Sequence, residues 1–369
     1  MSASFTHTAL GQRVVFGVGA ARADLAAEVD RLGATRVLLV AGQAELDLAR
    51  GLAGPLGDRV VATADDVRRH VPVECAEAAR AAAREHRADL VLSVGGGSTT
   101  GTAKAVALTE RLPVLAVPTT YAGSEMTNVW GLTDAGRKTT GVDDAVAPRT
   151  VVYDPELTVG LPPALSAASA LNAMAHCVEA VWAPGANPVT DLVAYEGVAA
   201  LRRGLPGVLA DGADLAARSD VLLGAWLSGS AFAQAGSGLH HKTCHVLGGA
   251  YDLPHAELHA VVLPHVLAFQ LPALGARAER LRAALDPGGS SPDAAAALAG
   301  LEDDLGVPAG LRDIGLAEAD VAEAAALVAD VVADRRIPNP RPVARADVAA
   351  LVRAAWAGRP GTPPTGGAG

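Results

Sequence analysis

The chain has 369 residues, half of them hydrophobic and 19% charged, with a formal net charge of -10. That is enough apolar material for two cores, and the acidic balance without a long basic run argues against a nucleic-acid partner. Cys75, Cys177 and Cys244 are too few and too scattered for a disulfide scaffold or a thiolate zinc site, which fits a reducing, cytoplasmic setting.

The opening "MSASFTHTALGQRVVFGVGA" lacks a basic segment followed by an apolar core, so no signal peptide is expected. Apolar runs elsewhere are short and interrupted, so no membrane partner is expected either. "RVVFGV" and "RVLLVAG" read as strands around the helix "ARADLAAEVDRL". "RVVAT" is a short strand, "VECAEAARAAAREHRAD" a helix and "LVLSVGGG" a buried strand. "STTGTAKAVALTE" is helical and "PVLAVPTT" is again a strand. This alternation predicts a mostly parallel sheet covered by helices. "DAGRKTT" reads as a solvated loop.

Near Pro155 the pattern changes to long Ala- and Leu-rich stretches with helical spacing, as in "LPPALSAASALNAMAHCVEAVW". The division is therefore an α/β domain over 1–157, an all-helical domain over 158–357 and a flexible tail over 358–369.

Two loops at strand ends carry candidate binding groups. Gly95, Gly96 and Gly97 end a buried strand, and Ser98 opens the following helix. Glycines allow a tight turn, and free amides at a helix start suit a pyrophosphate. The segment is neither a GxGxxG fingerprint nor a Walker loop. Thr119, Thr120 and Ser124 crowd the loop after the next strand, which can line the same crevice.

The stretch "GLHHKTCHVLGGAYDLPHAELHAVVLPH" holds six of the ten histidines. His241 and His245 stand four apart on one helix face, as do Asn172 and His176 upstream, and His255 follows a turn. Such a set can surround a divalent ion or handle protons without one, and spacing leaves the two open. His240, His259 and His265 read equally well as structural. Lys242 can meet an anionic substrate, Cys244 reads as a packed residue, and Glu125 and Glu179 as helix braces.

Taken together, "GGGSTTGTAKAVAL", "PTTYAGSEMTNVWG", "NAMAHCVEAVWAPGANPVTD", the histidine stretch and "NPRPVARADVAALVRAAW" resemble the iron-containing alcohol dehydrogenase family, which shares the dehydroquinate synthase-like fold. The likeness covers about residues 5 to 355 and is greatest to the subgroup that reduces maleylacetate. It implies an N-terminal nucleotide-binding α/β domain, a helical C-terminal domain and an active site between them. By resemblance, Gly95, Gly96, Gly97 and Ser98 bind the cofactor pyrophosphate, and Thr119, Thr120 and the segment near Ser124 line the cofactor. In metal-dependent members the residues matching Asn172, His176, His241 and His255 hold the ion, and His245 matches a further histidine near nicotinamide and substrate.

Three departures from the metal-dependent pattern follow the maleylacetate-reducing subgroup. Asn172 replaces an aspartate ligand, Gly101 replaces an aspartate of the glycine motif, and the threonine loop is one residue shorter. An all-neutral quartet holds a divalent ion weakly, so no tightly bound iron or zinc is expected. Gly42 stands where NAD-preferring relatives place a ribose-binding aspartate, so either NADH or NADPH is expected to serve. The expected reaction is reduction of the conjugated double bond of maleylacetate, and of 2-chloromaleylacetate, to 3-oxoadipate in aromatic-compound degradation. His176, His241, His245 and His255 would be catalytic, Asn172 and Lys242 would meet the dicarboxylate, and the assembly would be a cytoplasmic homodimer. The rival expectation is a metal-dependent alcohol dehydrogenase or aldehyde reductase of the same family.

Overall fold

The structure is a computed structural model that describes residues 4–134, 137–334 and 337–359. The chain divides into two compact units, one built from Thr8–Pro162 with Asp211–Leu222, the other from Pro163–Ala210 and Leu223 onward together with the first residues. The expected tail falls, from residue 360 on, outside the described residues.

In the first unit, strands β1 (Arg13–Phe16), β2 (Val37–Val40), β3 (Val60–Ala64), β4 (Leu90–Gly95) and β5 (Val114–Pro118) alternate with helices α1 (Ala20–Arg31), α2 (Leu46–Ala53), α3 (Val73–Glu85) and α4 (Gly97–Glu110). A hairpin of β6 (Val129–Asp134) and β7 (Arg137–Val142) follows, then β8 (Thr150–Tyr153). The six-stranded sheet has order β1-β8-β5-β4-β2-β3, and each neighbouring pair is parallel. Its central strands are buried on both faces, which is why they read as continuous apolar runs. Val37 and Leu39 pack with Leu25, Val29 and Leu52 on one face, while Leu38 and Val40 pack with Ala79, Ala83 and Val106 on the other.

Four elements escape the sequence pattern: α2, β6, β7 and β8. α2 is short, and "TVVY" of β8 is only four residues long. Asp154, at the end of β8, accepts from the amides of Gly19 and Ala21 at 3.0 and 3.1 Å and so caps α1 from a distance. "DAGRKTT" is not a solvated loop: from Arg137 it forms β7, paired in register with β6 from Asp134 to Val129.

From Pro163 on, every regular element among the described residues is a helix. The α-helices are α5 (Pro163–Ala180), α6 (Pro188–Ala210), α7 (Leu215–Ala235), α8 (Leu239–Tyr251), α9 (His255–Leu274), α10 (Ala276–Leu285), α11 (Ala294–Asp304), α12 (Val321–Asp334) and α13 (Arg345–Ala357), with short 3-10 turns at Leu311–Ile314 and Glu318–Asp320. Small residues let backbones approach closely: a Cβ on Gly197 would meet Cys177 Sγ at 2.5 Å. The segment Asp211–Leu222, expected in the helical domain, groups instead with the first unit. Arg218 supplies the reason: fully buried, its guanidinium donates to the Tyr121 hydroxyl at 2.9 Å and the Leu161 carbonyl at 3.0 Å. A buried guanidinium without those acceptors would be costly, so the segment is held where they are. Among the described helices, α9 is long and apolar enough to cross a membrane, but 67% of that stretch is buried, as in a core helix.

Candidate active site

The strand order places a reversal between β2 and β4. From β2 the chain steps outward to β3, then returns to β4 and continues the other way to β5. Ligands of open parallel sheets bind beyond the carboxyl ends of strands at such a reversal. Gly95, Gly96 and Gly97 follow β4 there, and Gly42 follows β2.

Each glycine of the turn is required by close approach. Gly95 has φ of 151°, and a Cβ there would meet Thr99 Oγ1 at 2.4 Å. A Cβ on Gly96 would meet Thr120 Cγ2 at 2.9 Å, and one on Gly97 would meet Ala122 Cβ at 3.2 Å. The two expected binding loops therefore touch, and the Thr119 amide donates to the Gly95 carbonyl at 3.1 Å. The first bond of α4 runs from the Thr100 amide to the Gly96 carbonyl, so the amides of Gly97, Ser98 and Thr99 have no acceptor in the helix. With the helix dipole behind them they suit a phosphate oxygen.

Ser124 is held from behind. Its carbonyl accepts from Lys104 Nζ at 2.6 Å, and the same ammonium donates to Thr127 Oγ1 and the Val129 carbonyl, each at 2.9 Å. Burial pulls Lys104 down to about 7, opposed by Glu125, whose carboxyl accepts from the Tyr153 hydroxyl at 2.7 Å. Three oxygen acceptors match the three N–H groups of an ammonium, so the charged form is the one this clamp is built for. Gly101 lies under Val71, whose Cγ2 a Cβ there would meet at 2.7 Å, so the aspartate of metal-dependent relatives has no space here.

A carboxylate stands near Gly42: Glu45, at the start of α2, has Oε2 3.0 Å from where a Gly42 Cβ would be.

In the second unit, three helices bring i,i+4 pairs together: Asn172 and His176 on α5, His241 and His245 on α8, His255 and His259 on α9. The rings of His176 and His241 stack, with centroids 5.0 Å apart. His245 and His255 stack at 6.4 Å, and His255 meets His259 edge-on at 4.5 Å. Phe232 of α7 packs against His176 at 4.7 Å and His241 at 4.9 Å. His245 and His255 are exposed, His176 and Lys242 half-buried, and His240, His241 and His259 buried. His265 is buried but makes no ring contact with this group among the described residues.

Besides His240, two residues left open to a structural reading belong to the cluster, His259 and Glu179. His259 Nδ1 lies 3.0 Å from His240 Nε2. Glu179, fully buried on the Asn172/His176 face of α5, has a carboxylate oxygen 2.6 Å from His241 Nδ1. The signal for both was in the spacing: 176 to 179 is i,i+3, and 255 to 259 is i,i+4. Burial and then the neighbouring imidazoles hold His176, His241 and His259 well below the usual histidine range; for His240 the same causes bring it down to about 3. The buried rings are therefore neutral at neutral pH. Asn172 Oδ1, His176 Nδ1, His241 Nε2 and His259 Nε2 have no hydrogen-bond partner within the protein, so they are polar sites that a ligand can engage.

The residues do not fit a tightly held divalent ion. Among the described residues, histidine, cysteine and carboxylate donor atoms converge within 4.8 Å at His240, His241 and His259, rather than at the expected His176, His241 and His255. Two of that trio already share a hydrogen bond. Asn172 contributes a neutral oxygen, and the one buried carboxylate nearby, Glu179, is engaged with His241 Nδ1 and backbone amides.

Comparison with known proteins gives the family. The model of the iron-containing alcohol dehydrogenase matches residues 11–155, and that of the Fe-containing alcohol dehydrogenase family, C-terminal, matches 166–356. The chain is 44% identical to maleylacetate reductase 1 of Cupriavidus pinatubonensis, covering 96% of this chain and 98% of the relative. It is 45% identical to the maleylacetate reductase of Burkholderia cepacia with the same coverages. Among solved structures, maleylacetate reductase from Rhizobium sp. strain MTP-10005 superposes with TM-score 0.91 at 40% identity, covering 97% of this chain and 100% of that one. An iron-containing alcohol dehydrogenase from Corynebacterium glutamicum does so with TM-score 0.91 at 45% identity, over 98% and 99%.

Proposed function

Because the chain belongs to the iron-containing alcohol dehydrogenase family, we propose that it is an oxidoreductase that reduces the conjugated double bond of maleylacetate to 3-oxoadipate with NADH or NADPH. The observation that carries this reading is near-full-length identity of 43–46% to proteins bearing that activity in their names. The neutral histidine cluster, lacking an anionic ligand, supports a reaction run on side chains.

Bound NADH or NADPH would supply a hydride for C2 of the substrate, the alkene carbon distal to the ketone. The C2–C3 π pair moves toward the ketone and charge collects on the C4 oxygen as an enolate. N–H donors aimed at that oxygen lower the barrier, which is usually the largest catalytic contribution. His245 and His255, exposed and stacked, are the donors best able to reach a solute. A proton then adds at C3, and the ketone re-forms; one hydride and one proton account for the two hydrogens gained. With chlorine at C2, the same hydride addition is followed by loss of chloride and return of the alkene. Lys242 and the Asn172 amide meet the carboxylates. Gly95, Gly96, Gly97, Ser98, Thr119, Thr120 and Ser124 form the cofactor loops, and Glu45 favours the 2′-hydroxyl of NADH over a 2′-phosphate.

The Corynebacterium relative supports a second reading, a metal-dependent alcohol dehydrogenase. Absorbance at 340 nm, with chelator-treated protein, fresh maleylacetate and either cofactor, separates the two. Oxidation of the cofactor with 3-oxoadipate as product is expected. Turnover only of simple alcohols, and only after iron or zinc is restored, overturns the proposal. A cytoplasmic homodimer is part of the same reading, supported by the family resemblance and checked by light scattering.

A further inference from the structure

We propose that Glu179 is a positioning residue that fixes the tautomer and the orientation of His241, leaving Nε2 as the ring atom available to the reaction; the catalytic part of this rests on the maleylacetate reading. The carboxylate is fully buried on α5 and lies against the start of α8. One oxygen accepts from the His240 amide at 2.6 Å. The other lies 2.6 Å from His241 Nδ1, with the His241 amide at 3.4 Å. Both oxygens thus face backbone N–H groups, which can only donate, and an acceptor pair of this kind assigns the hydrogen of the third contact to Nδ1. In the neutral ring Nε2 then holds the lone pair, and that atom is buried without a partner in the protein. Gly238 makes the approach possible, since even a Cβ there would come within 3.2 Å of Glu179 Oε1. Ring faces complete the positioning: His176 stacks on one side at 5.0 Å and Phe232 leans in at 4.9 Å.

One carboxylate thus does two jobs. It satisfies amides at the start of α8 that the helix cannot, and it sets which nitrogen of the second α8 histidine faces the site. The first job alone would be structural. The second makes a distinct prediction, because a glutamine can do the first and not the second. In Glu179→Gln the amide oxygen can still accept from His240 N–H, but the NH2 then faces Nδ1. Nδ1 must become an acceptor and the hydrogen must move to Nε2.

The test uses the full chain labelled with ¹⁵N-histidine, with the His241 resonances assigned by their loss in His241→Gln. Long-range ¹H–¹⁵N spectra should show the Nδ1–H tautomer in the unsubstituted protein and Nε2–H in Glu179→Gln. The kcat for maleylacetate should fall about 100-fold or more, while KM for NADH stays within about threefold. Glu179→Asp, which keeps the charge, should restore the Nδ1–H tautomer and part of kcat. An Nε2–H tautomer in the unsubstituted protein overturns the proposal whether or not any variant folds. So does an unchanged kcat in a folded Glu179→Gln whose tautomer has switched. If the unsubstituted protein does not turn over maleylacetate, the functional reading fails, while the spectrum still decides the tautomer.

Discussion

His240 Nε2 and His259 Nδ1 stand 3.0 Å apart, joining α8 to α9 through two fully buried rings. His259 in turn lies edge-on against exposed His255 at 4.5 Å. Replacing His259 with leucine keeps the volume roughly and removes both the hydrogen bond and the polar edge. The expected result is a kcat lower by about 10- to 100-fold with KM for NADH unchanged, the range found when groups that orient a reacting histidine are removed. Steady-state kinetics beside a circular-dichroism melt checks this; wild-type kcat in a folded variant would make His259 a packing residue only.

Glu45 stands at the corner where the cofactor ribose is expected, 3.0 Å from the position of a Gly42 Cβ. A carboxylate there accepts from a ribose hydroxyl and repels a phosphate. Glu45→Gln should raise the NADPH-to-NADH ratio of kcat/KM about tenfold, equivalent to about 1.4 kcal/mol. An unchanged ratio would place the ribose elsewhere.

Asn172 presents a buried, unpartnered amide oxygen one turn before His176 on α5. Asn172→Asp supplies the missing negative charge. The variant should retain zinc or ferrous ion through desalting, where the unsubstituted protein retains much less, with binding about tenfold tighter or more. Metal analysis by mass spectrometry after chelation and reloading reads the result. Equal and stoichiometric metal in both proteins would show that charge at this position is not what decides.

His265 is buried, and burial, with Arg359 adding to it, brings its pKa down to about 4 from 6.5. The unfolded chain binds the proton more readily than the folded one between those values, so stability rises with pH across that window. It is fully present above about pH 6.5 and declines as pH falls toward 4, by up to about 1.4 kcal/mol per pH unit for one proton. Unfolding in urea at pH 7.0, 5.5 and 4.5 should show the decline, and His265→Gln should make it shallower by one proton's share, the other buried histidines contributing the rest. A variant whose midpoint falls as steeply as the parent's would move the effect to other buried groups.

Much of this architecture was legible along the chain because period and composition carry it. Continuous apolar runs in β2, β4 and β5 could only be strands buried on both faces, and the helices between them forced a parallel sheet. The glycine turn was readable because three successive glycines mark a tight backbone turn, and a Cβ on Gly95 or Gly96 would come within 3 Å of Thr99 or Thr120. β6, β7 and β8 were not, since they are short, and polar or glycine-bearing strands give no clear period. The stretch Asp211–Leu222 looked like any other helical sequence; its allegiance to the first unit depends on acceptors for Arg218 that lie 57 and 97 positions away.

The amino-acid sequence by itself determined which chemistry is present: an anion-binding turn, a threonine loop, and paired imidazoles on three helices, with asparagine in place of aspartate. Helical spacing is a local property, so each pair could be placed on its own face without knowing what that face would meet. Only the tertiary structure decided which pairs meet. It turned Glu179 from a helix brace into the group that holds His241 Nδ1, and His259 from a structural histidine into the partner of His240. It set the Glu45 carboxylate beside Gly42. Hydrogen bonds act over about 3 Å, and contacts between residues 62 and 19 positions apart have no signature in local periodicity.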